Sequence, residues 1–221
     1  MLETNTLLSL EHTIAADYLS GFAHPWEALP GIKDEVIRLG EALDKSEFDE
    51  ISPQVWVHKS VRIAPTASIG APCIIGANTE VRQCAFIRGS AIIGEGCVIG
   101  NSVEIKNAII FDGAQVPHFN YVGDSILGYK AHMGAGAVTS NVKQDKTPIV
   151  IRTEIMKIET GLKKFGAILG DNVEVGCNAV LNPGSVIGRG ARIYPLSSVR
   201  GFVHENIIFK GNGKVAKINQ R

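Results

Sequence analysis

The chain has no net charge, no disulfide framework and few aromatic rings. Its 22 lysines and arginines balance 22 aspartates and glutamates, which argues against a nucleic-acid binder that works by bulk attraction to phosphate. No stretch of about 18 apolar residues occurs, so no transmembrane helix is expected. Met1-Leu2-Glu3-Thr4 lacks the charged-then-apolar layout of a secretory signal. The four cysteines, Cys73, Cys84, Cys97 and Cys177, form no C-x-x-C pair, and a chain of this size does not need disulfide staples. The expectation is a cytoplasmic protein with reduced thiols. Aromatics make up 6% of the 221 residues while hydrophobic residues make up 45%; the apolar content is chiefly aliphatic.

The neutrality hides a division. Residues 1–50 carry 11 acids against 3 bases, and residues 51–221 carry 11 acids against 19 bases. Two modules are expected, with a boundary near residue 50. In the first, Leu7, Leu10, Ile14 and the stretch 15–19 fit one helical face, and Ile32, Val36, Leu39 and Leu43 another, around Pro25 and Pro30. Residues 1–52 therefore read as an acidic helical cap over the open end of the second module.

The second module is a repeat. Steps of six from Val57 meet Val57, Ile63, Ile69, Ile75, Val81, Ile87, Ile93, Ile99, Ile105 and Phe111, and the residue four further on is mostly small, as at Ala67, Cys73, Ala85, Ala91 and Cys97. Glycine often follows the large residue, as at Gly70, Gly76, Gly94 and Gly100. Six is not a multiple of 3.6, and an antiparallel sheet alternates with period two. The pattern predicts an all-β parallel solenoid, three hexads to a triangular coil and about six coils, over 53–201. The register slips around 117–127 and resumes at Met133. Residues 142–168 interrupt it, with Ile149, Ile151, Thr153 and Ile155 alternating as in a protruding hairpin. Residues 202–221 read as a hairpin at Gly211-Asn212-Gly213 followed by a basic tail with Lys210, Lys214, Lys217 and Arg221.

Arg88 and Lys106 are 18 residues apart, one coil, so they stack on one face. Two cations a strand spacing apart repel unless an anion lies between them. His118 lies in the polar cluster Pro117-His118-Phe119-Asn120-Tyr121-Val122-Gly123-Asp124, where the repeat slips.

The hexads resemble the hexapeptide-repeat acyltransferase superfamily. Arg88-Gly89, Val103-Glu104-Ile105-Lys106, the cluster 118–124 and Gly134-Ala135-Gly136-Ala137-Val138-Thr139-Ser140-Asn141 resemble the acetyltransferase half of the bifunctional glucosamine-1-phosphate acetyltransferase / N-acetylglucosamine-1-phosphate uridylyltransferase family. Residues 160–172 look like its archaeal branch. The resemblance implies a left-handed parallel β-helix, a homotrimer, and N-acetylation of an amino-sugar 1-phosphate (gluco or galacto) by acetyl-CoA, with no metal, feeding UDP-N-acetyl-sugar synthesis. It implies that Arg88 and Lys106 clamp the phosphate and that His118 is the general base, imidazoles titrating near neutral pH. Tyr121 and Asn141 would hold the sugar, the Ala135 N–H the acyl carbonyl or pantetheine, and Cys177 and Pro195 would line the pantetheine groove. His132 stands where the bacterial family has asparagine near the sugar, and Val142 where it has tyrosine. Lys143 and Lys146 are the candidates for its substrate-touching loop lysine. No Gly-rich nucleotidyltransferase signature occurs in 1–50, so uridylyl transfer is not expected.

Two other readings share the coil. A non-catalytic module for sugar-nucleotide binding or assembly would have no need of Arg88, Lys106, His118, Tyr121 and Asn141 at these spacings. A zinc site of the γ-type carbonic anhydrase kind needs a His-x-x-x-x-His pair, and His118 and His132 are 14 apart.

Overall fold

The computed structural model describes residues 1–211 and 214–218. Residues 55–209 wind into a left-handed parallel β-helix with three faces. One face stacks Val55–His58, Cys73–Ile75, Ala91–Ile93, Glu104–Ile110, Tyr121–Leu127, Ala167–Leu169, Ser185–Ile187 and Phe202–Val203 in parallel register. That makes eight rungs where six coils were expected. The hexad count missed rungs in the middle and at the end, because the step is not always six. Residue Ile110, not Phe111, pairs with Ile93, and Leu127 pairs with Ile110. Two coils thus have 17 residues instead of 18, and the slip begins before residue 110 rather than at 117. The inward stack runs Ile75, Ile93, Ile110, Leu127, Leu169, Ile187, all at most 1% exposed. The small residues packed beside it include Cys73 and Cys97, whose thiols burial pushes up to about 12; they act as small apolar residues.

The N-terminal segment is helical in short pieces: Thr4–Leu7, Leu10–His12, Ala16–Ser20, Pro25–Gly31 and Ile32–Ala42. Ile14, expected on the apolar face, is 44% exposed. The segment does not close the end of the coil. It lies along the flank, because that face alone carries an outward apolar residue beside each inward one: Trp56, Ile74, Ile92, Ile109, Ile126, Ile168 and Val186 form one buried cluster with Leu7, Leu8, Leu19, Trp26, Leu29, Ile32 and Val36. Each such aliphatic side chain removed from water contributes about 1.5–3 kcal/mol. Residues 48–52, assigned to the cap, instead form a strand, Phe48–Ser52, antiparallel to Val55–His58. Top-coil Ile63 remains 36% exposed.

The interruption in the repeat forms an antiparallel hairpin, Val150–Arg152 with Lys157–Glu159. Its base folds back rather than protruding: Ile149, Ile151 and Phe165 are fully buried in the flank cluster, with Phe165 against Trp26. At the C-terminus Ile207–Phe209 pairs antiparallel with Val215–Lys217. Asn212 and Gly213 of the expected turn, and Arg221 of the basic tail, lie outside the described residues. Among the described residues no helix is long and apolar enough to cross a membrane.

Candidate active site

The strand Glu104–Ile110 pairs with Phe86–Ile87 on one side and Tyr121–Leu127 on the other. This register sets Lys106 beside Arg88 on neighbouring rungs, and the Arg88 N–H donates to the Ile105 carbonyl. Neither cation is left to repel the other. Arg88 donates to Glu104 Oε1 at 2.8 Å, which holds its guanidinium above its ordinary pKa. Lys106 Nζ lies 3.6 Å from Asp124 Oδ2. Two carboxylates thus alternate with two cations, an arrangement that no spacing argument on the cations alone reveals.

Tyr121 and Asn141 complete the group. Asn141 Nδ2 donates to the Tyr121 hydroxyl at 3.2 Å and to Asp124 Oδ2. Burial first, then the charges of Asp124 and Glu104, push the Tyr121 phenol up from its ordinary value, so at neutral pH it keeps its proton and can both donate and accept. Of the predicted substrate residues, the structure therefore gathers Arg88, Lys106, Tyr121 and Asn141. The sequence reading missed Asp124 and Glu104 as members. The signal was present in the quoted clusters: acids two residues from the lysine and three from the tyrosine.

His118 lies at the preceding corner of the coil, exposed, at the end of the strand Gln115–His118. Asn120 builds this corner from inside. It is 3% exposed, its Oδ1 accepts the His118 N–H at 3.0 Å, and its Nδ2 donates to the Gly134 and Ala137 carbonyls. Parallel register continues down this corner. Gln115 faces His132, His132 faces Glu174, and Glu174 faces Arg192, so three residues further on His118, Ala135, Cys177 and Pro195 occupy one column. Cys177 and Pro195 are exposed. Among the described residues no protein acceptor takes the Ala135 N–H.

The two groups lie at successive corners of the coil. The strand residues from Tyr121 to Gly123 run between them, at most about 16 Å of extended backbone from His118 to Gly123. No hydrogen bond joins His118 to the Arg88–Lys106 group among the described residues. The face between them is exposed and carries Phe86 at 45% and Val180 at 37%.

His132 stands apart from both. It sits at the start of its strand, its Nδ1 2.8 Å from Glu174 Oε2, lining a cavity of about 560 Å³ with Lys130 and Gln115. Lys146 is an exposed loop residue with φ 57° and reaches none of the residues above. Lys143 pairs with Asp145 at 3.3 Å and lines a cavity of about 340 Å³ with Ser140, Asn182 and Arg200, next to Asn141.

Fold and site together define a hexapeptide-type β-helix with a charged, hydrogen-bonded corner beside an exposed histidine column. Residues 81–187 match the family described as GMPPB C-terminal domain. Over 103 residues the chain is 35% identical to the bifunctional sugar-1-phosphate nucleotidylyltransferase/acetyltransferase of Sulfurisphaera tokodaii, covering 47% of this chain and 26% of that protein. Over 134 residues it is 38% identical to the bifunctional protein GlmU of Caldanaerobacter subterraneus, covering 61% and 26%. The chain spans about a quarter of the length of these relatives. A solved structure of a variant of AntD, an N-acyltransferase from Bacillus cereus, in complex with dTDP and coenzyme A, is 20% identical with a TM-score of 0.37, over 74% of this chain and 84% of that one. The resemblance read from the sequence, to the acetyltransferase half of the bifunctional sugar-phosphate enzymes, thus stands.

Proposed function

We propose that this chain transfers the acetyl group of acetyl-CoA to the amine of an amino-sugar 1-phosphate. The observation that carries this reading is the convergence of Arg88, Lys106, Tyr121 and Asn141 on one corner, one strand's length from the column His118, Ala135, Cys177, Pro195. The phosphate meets Arg88 and Lys106, sharing them with Glu104 and Asp124, and Tyr121 and Asn141 hold sugar hydroxyls. Coenzyme A lies along the column.

In the transfer step the amine nitrogen attacks the thioester carbonyl. His118 takes the proton that the nitrogen sheds, and the free Ala135 N–H donates to the carbonyl oxygen as negative charge builds on it. The C–N bond forms, the C–S bond breaks, and the thiolate leaves as coenzyme A on accepting a proton. The separation of the two corners in one chain supports a homotrimer in which the site is completed between copies. The product would feed UDP-N-acetyl-sugar synthesis.

The deciding experiment is thiol release from acetyl-CoA with glucosamine-1-phosphate and galactosamine-1-phosphate offered separately. Release that needs one sugar phosphate, and is lost in His118→Ala, is the expected result. A folded protein that binds either sugar phosphate without releasing thiol would mark a binding module instead.

A further inference from the structure

Asp124 carries more than its place in the turn requires. Its residue is 5% exposed, and its backbone takes φ 47°. At the equivalent corner of other rungs Ser90, Asn107 and Gly184 also take positive φ, at 52°, 49° and 80°, and the next rung has Gly166 there. The corner is thus made without a carboxylate elsewhere, and a nearly buried charge is costly unless its oxygens are occupied. They are. Oδ1 accepts from Asn107 Nδ2 at 2.9 Å. Oδ2 accepts from Asn141 Nδ2 and faces Lys106 Nζ at 3.6 Å. Asn107 spends its other N–H on the Leu29 carbonyl of the N-terminal segment, at 3.1 Å. Leu29 is itself 2% exposed, packed in the flank cluster.

We infer that Asp124 is the positioning residue of the sugar-phosphate site: it fixes Lys106 and Asn141 relative to each other, and Asn107 ties it to the N-terminal segment docked at Leu29. Asp124 need not touch substrate, since each of its oxygens already faces a protein donor. It acts through Lys106, and through the Asn141 amide that also meets Tyr121. The N-terminal segment thereby acquires a role at the site, although it lies outside the residues that match the family. This rests on the acetyltransferase reading given above.

Asp124→Asn keeps the shape and tests it. One of the three donors must then face an amide NH₂, and Lys106 loses its counter-charge. Two effects compete. A Lys106 freed of its partner attracts phosphate more strongly, whereas a Lys106 and Asn141 out of place bind it less well. Displacement wins on the scale of such effects, since a misplacement of about 1 Å can cost roughly 10²-fold.

The expected result is a KM for the amino-sugar phosphate raised about tenfold or more, with the KM for acetyl-CoA unchanged. Asn107→Ala leaves the carboxylate but removes its tie to Leu29, and should raise the same KM by a smaller factor. If Asp124→Asn does not fold, Asn107→Ala carries the test. A purely structural role lowers Tm and the active fraction but leaves both KM values alone. A sugar-phosphate KM equal to or below that of the parent, in whichever of these variants folds, overturns the inference. A parent protein that transfers no acetyl group overturns the acetyltransferase reading instead, so the two failures are told apart by the parent alone.

Discussion

His118, Arg88 and Asp112 show how differently single side chains report on this protein. Replacing His118 by alanine leaves the coil intact, because its imidazole is exposed and the corner is held by Asn120 from inside; turnover should fall about 10²-fold or more with Tm unchanged. Arg88→Ala leaves Glu104 without its partner and, on the proposed function, removes one phosphate contact, so the KM for the sugar phosphate should rise while kcat changes little. Asp112 gives a stability readout. Burial, with Glu95 close by, raises its carboxyl above the ordinary aspartate value. The folded state therefore holds the proton more tightly than the unfolded state, and stability from this group is present at acid pH and lost as pH rises through the raised pKa. Asp112→Asn keeps an oxygen for the Glu95 N–H. It should raise Tm at pH 7 by roughly 1–3 °C, with the gain disappearing in melts run below the aspartate range. At this scale Arg88 and Lys106 were legible from their spacing, and Asp124 was not, because its side-chain partners come from the rungs on either side of it, Lys106 and Asn107 on one and Asn141 on the other.

Among the elements, the helix Ile32–Ala42 and the face beneath it depend on one close approach. Gly40 packs against the Trp56 ring so tightly that an added Cβ would overlap it. In an exposed helix Gly→Ala gains about 1 kcal/mol, but overpacking here costs about 1–3 kcal/mol, so Gly40→Ala should lower Tm, as a thermal melt would show. The flank itself could have been read from the sequence. Doublets of large apolar residues, Trp56-Val57, Ile74-Ile75, Ile92-Ile93, Ile109-Ile110, Ile126-Leu127, Ile168-Leu169 and Val186-Ile187, recur once per coil, 17 or 18 residues apart except across the interruption at 142–168. The second member points into the coil and the first points out. A face that is apolar on both sides needs a cover, and the N-terminal segment and the base of the hairpin supply it. The period of six by itself does not reveal this once-per-coil doublet.

On the scale of the whole molecule, the separation of the His118 column from the Lys106 corner makes a sharp prediction. If the site is shared between copies, co-expressed His118→Ala and Lys106→Ala chains should regain part of the activity that each lacks alone, because a mixed assembly contains sites with both groups intact. The mixture would recover nothing if each chain held a whole site. Size measurement by light scattering of the purified protein gives the copy number independently.

The coil, its three faces and the pairing of Arg88 with Lys106 follow from local order: a hexad repeats the same backbone step, so residues about one coil apart must become neighbours. The two 17-residue coils, the course of residues 1–42 along a flank and the carboxylates set against each cation do not follow from local order. They depend on which outward surfaces find apolar cover and on hydrogen bonds between residues up to 184 positions apart, such as Asn107 to Leu29, Ser9 to Asp171 and Arg189 to Asn5. A repeat fixes the distance between equivalent positions; only packing in three dimensions selects which side of the coil is dry and which is left to bind.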